Sequence, residues 1–184
     1  MKIDVVLFDR LTALDAIGPY EVLERTPGAD LEFAAHEPGE TRTETGRLGL
    51  IADVALADVP EPDIIVVPGG FGTRAVAEHE PTLAWLRHAH EHSTYTTSVC
   101  TGSLVLGAAG LLDGLEATTH WAEMDALAAY GARPTHERVV HQGRIITAAG
   151  VSSGIDMALT LLGRLAGDDV ARAVQLGIEY DPQP

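Results

Sequence analysis

The chain has 184 residues, 46% hydrophobic and 21% charged, with 19 glycines; it is of single-domain length, able to bury roughly two-thirds of its unfolded surface, and its composition excludes disorder and collagen-like repeats. The formal charge of -15 opposes nucleic-acid binding, which rests on lysine and arginine displacing counterions. No stretch approaches the ~18 apolar residues of a membrane span, Asp9 and Arg10 break the first apolar run before it becomes a signal-peptide core, and a lone cysteine allows neither an internal disulfide nor a cysteine-rich zinc site. The expectation is one cytoplasmic domain over residues 1–184, with no membrane or nucleic-acid partner.

Ile3 to Phe8 is predicted as the first strand. The run from Gly18 to Glu24 reads as a helix whose start tolerates Pro19, and Leu31 to Ala35 reads as the second strand. The stretch from Glu37 to Gly46 is expected to be the most mobile loop. Ile64 to Val67 is a short, wholly apolar strand running into Pro68-Gly69-Gly70, and Thr82 to His92 carries a helical pattern. Tyr95 to Val99 forms the next buried strand, followed at once by Cys100-Thr101-Gly102-Ser103 and a helix from Leu104 to Ala109.

Gly143 is expected to turn a hairpin between 139–141 and 145–147. From Ser153 a helix presents Ile155, Ala158, Leu159, Leu162 and Leu165 inward, and Asp168 is expected to cap a last helix with Val170, Ala173, Val174 and Ile178 inward. Strands alternating with helices predict an α/β fold: a flavodoxin-like, doubly wound, mostly parallel sheet with helices on both faces.

Cys100 is the first candidate for chemistry. A cysteine between a strand and a helix sits at the carboxyl end of the sheet, where ligand sites of open α/β folds gather, and the positive end of the helix favours a thiolate. This predicts a thiol that titrates well below the ~8.5 of free cysteine. Gly69 and Gly70 either bring a backbone N–H towards Cys100, with the N–H of Thr101 completing an anion-stabilising pair, or form a turn that needs glycine only for its backbone angles.

Asp15 is expected at the same sheet edge, as a proton-transfer carboxyl of raised pKa or as a helix N-cap. His120, at a predicted strand end, is a candidate pocket residue. His88, His90 and His92 do not form a metal cluster on this reading, because a two-residue spacing turns His90 away from the others, and a solvated helix end accounts for them. No metal is expected.

Val66-Val67-Pro68-Gly69-Gly70, Ser98-Val99-Cys100-Thr101-Gly102 and Ala117-Thr118-Thr119-His120-Trp121 resemble the ThiJ/PfpI superfamily, whose fold is similar to that of class I glutamine amidotransferases. Leu14-Asp15-Ala16-Ile17-Gly18-Pro19, threonine after the cysteine, and the ending from Gln175 to Pro184 resemble its isonitrile hydratase branch. The resemblance implies hydration of an isonitrile to an N-substituted formamide, with Cys100 as nucleophile, Asp15 in proton transfer, Thr101 as a hydrogen-bonding partner and Gly70 as a backbone donor. It also implies a homodimer acting on a small molecule.

No cofactor is expected, since the isonitrile carbon is electrophilic enough for a thiolate. Thr101 stands where the PfpI-type peptidases carry histidine, which removes their base. The AraC-like regulators append a helix-turn-helix domain, which is not expected here. Two other outcomes stay open: a glyoxalase-like hydratase of α-oxoaldehydes, and a non-catalytic cysteine-based redox domain.

Overall fold

The computed structural model describes residues 1–181. The first half runs β1 (Lys2–Val6), α1 (Ala13–Leu23), β2 (Asp30–Ala35), β3 (Gly39–Arg42), β4 (Gly49–Ala52), β5 (Val54–Ala55), β6 (Ile64–Val67), α2 (Thr73–Val76) and α3 (Glu80–His92). The second half runs β7 (Tyr95–Val99), α4 (Gly102–Ala108), β8 (Glu116–Ala117), α5 (Met124–Ala129), β9 (Arg133–Pro134), β10 (Val139–Gln142), β11 (Ile145–Ala148), α6 (Ser153–Ala166) and α7 (Asp168–Gly177).

One seven-stranded sheet organises the molecule, in the order β10-β11-β7-β6-β1-β2-β5. Every pairing in it is parallel except β10 with β11, which the turn at Gly143 joins as an antiparallel hairpin. Strands β2-β1-β6-β7-β11 have the flavodoxin order, with the reversal of chain direction across the sheet at β1 and β6. The fold is therefore the flavodoxin-like α/β sheet that the alternation of patterns predicts.

β6 shows why its four residues are all apolar. Ile64 and Val66 join a core with Val22, Met157 and Leu161, from α1 and α6, on one face. Ile65 and Val67 join a second core with Leu83, Leu86, Leu106 and Leu127, from α3, α4 and α5, on the other. A strand covered on both sides has no solvent face to mark with polar residues.

Four expectations need correction. α1 begins at Ala13, so Asp15 lies inside its first turn and Thr12 holds the cap position; Asp15 is not an N-cap. Pro19 then sits within the helix, where it lacks the N–H that would reach back one turn to the Asp15 carbonyl. The fully buried face of α6 is centred on Met157, Ala158, Leu161 and Leu162, while Ile155, Leu159 and Leu165 flank it half-buried. Asp168 is the first residue of α7 rather than its cap, a place held by Gly167 at φ +94° with no side-chain cap bond.

The largest difference is in 37–46, the predicted mobile loop, which contains β3 and pairs residue by residue with β4. Thr41 and Thr43 are buried while Glu40 and Arg42 are exposed, a strand period written in polar residues and so invisible to hydrophobic patterning. The Arg42 N–H donates to Asp9 Oδ1 at 3.0 Å, and Thr43 bridges to Leu11, so the ribbon is tied to the segment that follows β1. Of the ending from Gln175 to Pro184, residues 182–184 lie outside the described residues.

Candidate active site

Cys100 follows β7 directly, with φ +56°, a left-handed conformation unusual for a residue other than glycine. Such a residue costs on the order of 1–3 kcal/mol and persists only where its surroundings over-determine it. They do: its N–H is shared between the carbonyls of Ala148 (3.1 Å) and Ala149 (2.9 Å), and its own carbonyl accepts from Thr119 Oγ1 (3.0 Å) and Ser103 Oγ (3.2 Å). Gly102 lets α4 start against the end of β6, because a Cβ there would collide with the Val67 carbonyl oxygen.

Asp15, Gly69, Gly70 and Thr101 converge on the same edge. The Gly69 N–H donates to Asp15 Oδ2 at 3.0 Å and the Gly70 N–H to Thr101 Oγ1 at 2.9 Å. A side chain at 69 would meet Thr101 N at 2.6 Å and Asp15 Oδ2 at 2.8 Å, so glycine is needed there for close approach, whereas Gly70 needs it for its φ of +127° as well. Both N–H groups are thereby engaged in holding Asp15 and Thr101. The backbone N–H groups that favour a charged Cys100 sulfur are those of Val151 and Thr101.

Asp15 is wholly buried, and its Oδ1 has no hydrogen-bond partner among the described residues; the Cys100 thiol is the neighbouring side chain that favours its charged form. Burial pushes the Asp15 carboxyl from 3.8 up to about 7, against the Gly69 N–H and the thiol, which favour its charged form. Burial also pushes Cys100 up to about 11, helped by the negative charge of Asp15 and opposed by the Val151 and Thr101 N–H groups.

The expected low thiol pKa is thus overturned. Cys100 is only 5% exposed, and the helix after it has seven residues, so desolvation and a neighbouring carboxylate outweigh the helix end. Near neutrality the site therefore holds a thiol beside a carboxyl raised into the range where it can exchange a proton.

The cavity above the sulfur is about 320 Å³ and is lined by Cys100, Thr101, Gly70, His120, Val151 and Glu44 among others. Asp15 lies beneath this surface. His120 stands at the mouth with Nδ1 accepting from the Ala122 N–H at 3.3 Å, and Phe71 is 57% exposed at the rim. A cavity of about 490 Å³ beside α2, lined by Asp9, His36 and His79, does not include Cys100.

Sequence reasoning missed Glu44 and Val151. Glu44 leaves the tip of the β3–β4 ribbon to accept from Thr12 Oγ1 (2.9 Å) and the Phe71 N–H (3.1 Å). Val151 contributes a backbone N–H, which no side-chain motif could signal. Of the three neighbouring histidines, His90 turns away to bond Thr96 Oγ1 at 2.8 Å, as the spacing predicts, and His88 and His92 are surface residues.

The sequence matches the DJ-1/PfpI family over residues 1–164. The chain belongs to the DJ-1/PfpI family. Among family relatives it is 45% identical to the isonitrile hydratase of Pseudomonas putida over 184 residues, covering all of this chain and 80% of that protein. It is 30% identical to DJ-1 homolog A of Arabidopsis thaliana over 175 residues, covering 93% of this chain and 44% of that protein. A ThiJ/PfpI family protein from Pseudomonas syringae superposes with a TM-score of 0.95 at 37% identity, covering 100% of this chain and 76% of that one. The DJ-1/PfpI fold is thus present across the described residues, with the strained cysteine at the sheet edge where β6 and β7 end.

Proposed function

We propose that the chain is an isonitrile hydratase that converts an isocyanide to an N-substituted formamide through a covalent intermediate on Cys100. The observation that carries this reading is the 45% identity, over the whole chain, to the isonitrile hydratase of Pseudomonas putida. The buried thiol–carboxyl pair supports it, because the reaction needs a nucleophile and a movable proton at one carbon.

In this mechanism the Asp15 carboxylate takes the proton from the Cys100 thiol as sulfur bonds to the terminal isonitrile carbon, and returns it to that carbon. The product is a thioimidate, R–N=CH–S–Cys. Water then adds across the C=N bond, its proton passing through Asp15 to nitrogen, and the tetrahedral adduct collapses to R–NH–CHO and the free thiol. Thr101 Oγ1, held by the Gly70 N–H, orients the water or the developing amide, and His120 and Glu44 line the approach.

The test is incubation with an alkyl isonitrile, an aryl isonitrile and methylglyoxal. Formamide from an isonitrile is the expected result. Lactate alone would transfer the chain to the glyoxalase-like reading, and neither product would favour the redox reading.

No helix among the described residues is long and apolar enough to cross a membrane. The working unit on this reading is a homodimer in the reducing cytoplasm, and sedimentation of a single species at 19.5 kDa at micromolar concentration would refute the dimer.

A further inference from the structure

We propose that Glu61, His88 and His92 form a surface site for a zinc-class divalent ion, at the opposite end of the sheet from Cys100. His88 and His92 are four residues apart and so share one face of α3, with their ring centroids 4.8 Å apart. Glu61, between β5 and β6, places Oε1 3.8 Å from His88 Nε2 and 3.9 Å from His92 Nε2. The three ligand atoms all lie within 4.8 Å of one another.

A tetrahedral ion with bonds of about 2.0–2.1 Å holds its donors roughly 3.3 Å apart, so closure needs shifts of about an ångström or less in exposed side chains. Little backbone rearrangement is required, because the loop bearing Glu61 is already fixed to the same elements. Pro60 and Pro62 restrict φ on either side of Glu61. The Val59 carbonyl accepts from Trp85 Nε1 at 3.1 Å, three residues before His88 on α3. The Asp63 carbonyl accepts from the N–H groups of Thr94 (2.8 Å) and Tyr95 (3.2 Å), just after α3 ends. One end of the loop is therefore pinned to the helix that carries the histidines and the other to the segment that follows it, which lowers the ordering cost of assembling the ligands.

Two imidazoles and one carboxylate suit zinc(II), and also copper(II) or nickel(II), over magnesium or calcium, which prefer all-oxygen sets. With ligand side chains 44–58% exposed, water completes the coordination. The site precedes β6 and β7, whereas Cys100 follows β7, so the bound ion clips the end of α3 to the β6 entry loop without touching the cavity. Its effect is stabilisation by preferential binding to the folded chain.

The test is zinc titration of the untagged chain by calorimetry, with parallel unfolding in zinc and in magnesium. One equivalent of zinc is expected to bind and to raise the melting temperature, with no response to magnesium. His88→Gln, His92→Gln and Glu61→Gln should each weaken binding at least tenfold without changing the far-ultraviolet spectrum, and Cys100→Ser should bind as the parent does. Absence of stoichiometric binding, its survival in the His88→Gln/His92→Gln double variant, or its loss in Cys100→Ser would each overturn the proposal.

Discussion

Replacing Asp15 by asparagine should make the protein more stable and less active at once, with the gain depending on pH in a direction that burial fixes. The native carboxyl is raised from 3.8 to about 7. A carboxyl raised on folding binds its proton more tightly in the native state than in the unfolded one, so its cost is absent below pH ~3.8, grows as pH rises, and is fully present above pH ~7. The interval corresponds to roughly 4 kcal/mol. Asparagine keeps an acceptor for the Gly69 N–H but buries an amide beside a thiol, which returns ~1–3 kcal/mol of that gain.

The net expectation for Asp15→Asn is stabilisation by ~1–3 kcal/mol at pH 8, or several degrees in melting temperature for a chain of this size. Asp4 is raised to about 7 by burial as well, so the wild-type curve alone mixes two groups. The difference between variant and parent isolates Asp15, and it should widen by ~2–3 kcal/mol from pH 5 to pH 8. Isonitrile turnover should fall at least ~100-fold. Urea unfolding at both pH values and formamide release provide the measurements. A stability difference that does not change with pH, or turnover within a few-fold of the parent, would refute the buried proton-transfer assignment.

Thiolate absorbance should appear only as pH approaches about 11, and a titration complete below pH 8 would show that burial does not dominate Cys100. For isonitrile turnover, kcat/KM should rise with pH to a plateau through about 7, because the proposed mechanism uses the carboxylate form of Asp15; a fall across that range would reverse the proton path. Thr119→Val removes the 3.0 Å bond to the Cys100 carbonyl and should cost ~1–3 kcal/mol by chemical denaturation while lowering kcat, whereas unchanged stability would mean that Ser103 alone holds the elbow. Glu44→Gln should raise KM several-fold at nearly constant stability and kcat, and a loss confined to kcat would move Glu44 into the proton path.

Much of the frame was legible because burial on two faces leaves a plain mark. Ile64 to Val67 is four apolar residues with no polar alternation, and Tyr95 to Val99 leads straight into the cysteine. Both strands match expectation to the residue. The β3–β4 ribbon was missed because Thr41 and Thr43 face inward, and hydroxyls satisfied by backbone carbonyls bury without looking hydrophobic.

Within the site, Cys100, Thr101 and the glycines were accessible through their motif, and Asp15 through its place after the first strand. Acidity was not. Whether the helix end or desolvation controls a thiol depends on how many atoms cover the sulfur, and that depth is a property of packing rather than of neighbours in sequence. Glu61 escaped for a related reason, since the 26 residues between it and His88 carry no sign that β6 and α3 return the chain to the same spot.

The ribbon that carries Glu44 also separates two evolutionary demands. Thiol, carboxyl and clamped carbonyls rest on the parallel sheet, where one methyl at Gly102 or Gly69 would clash. Glu44 hangs from a two-stranded extension paired only within itself and bridged at Leu11 and Thr43. A change in the length or charge of this ribbon would therefore reshape the approach to the cavity, which Glu44 lines, while the thiol and the carboxyl keep their spacing.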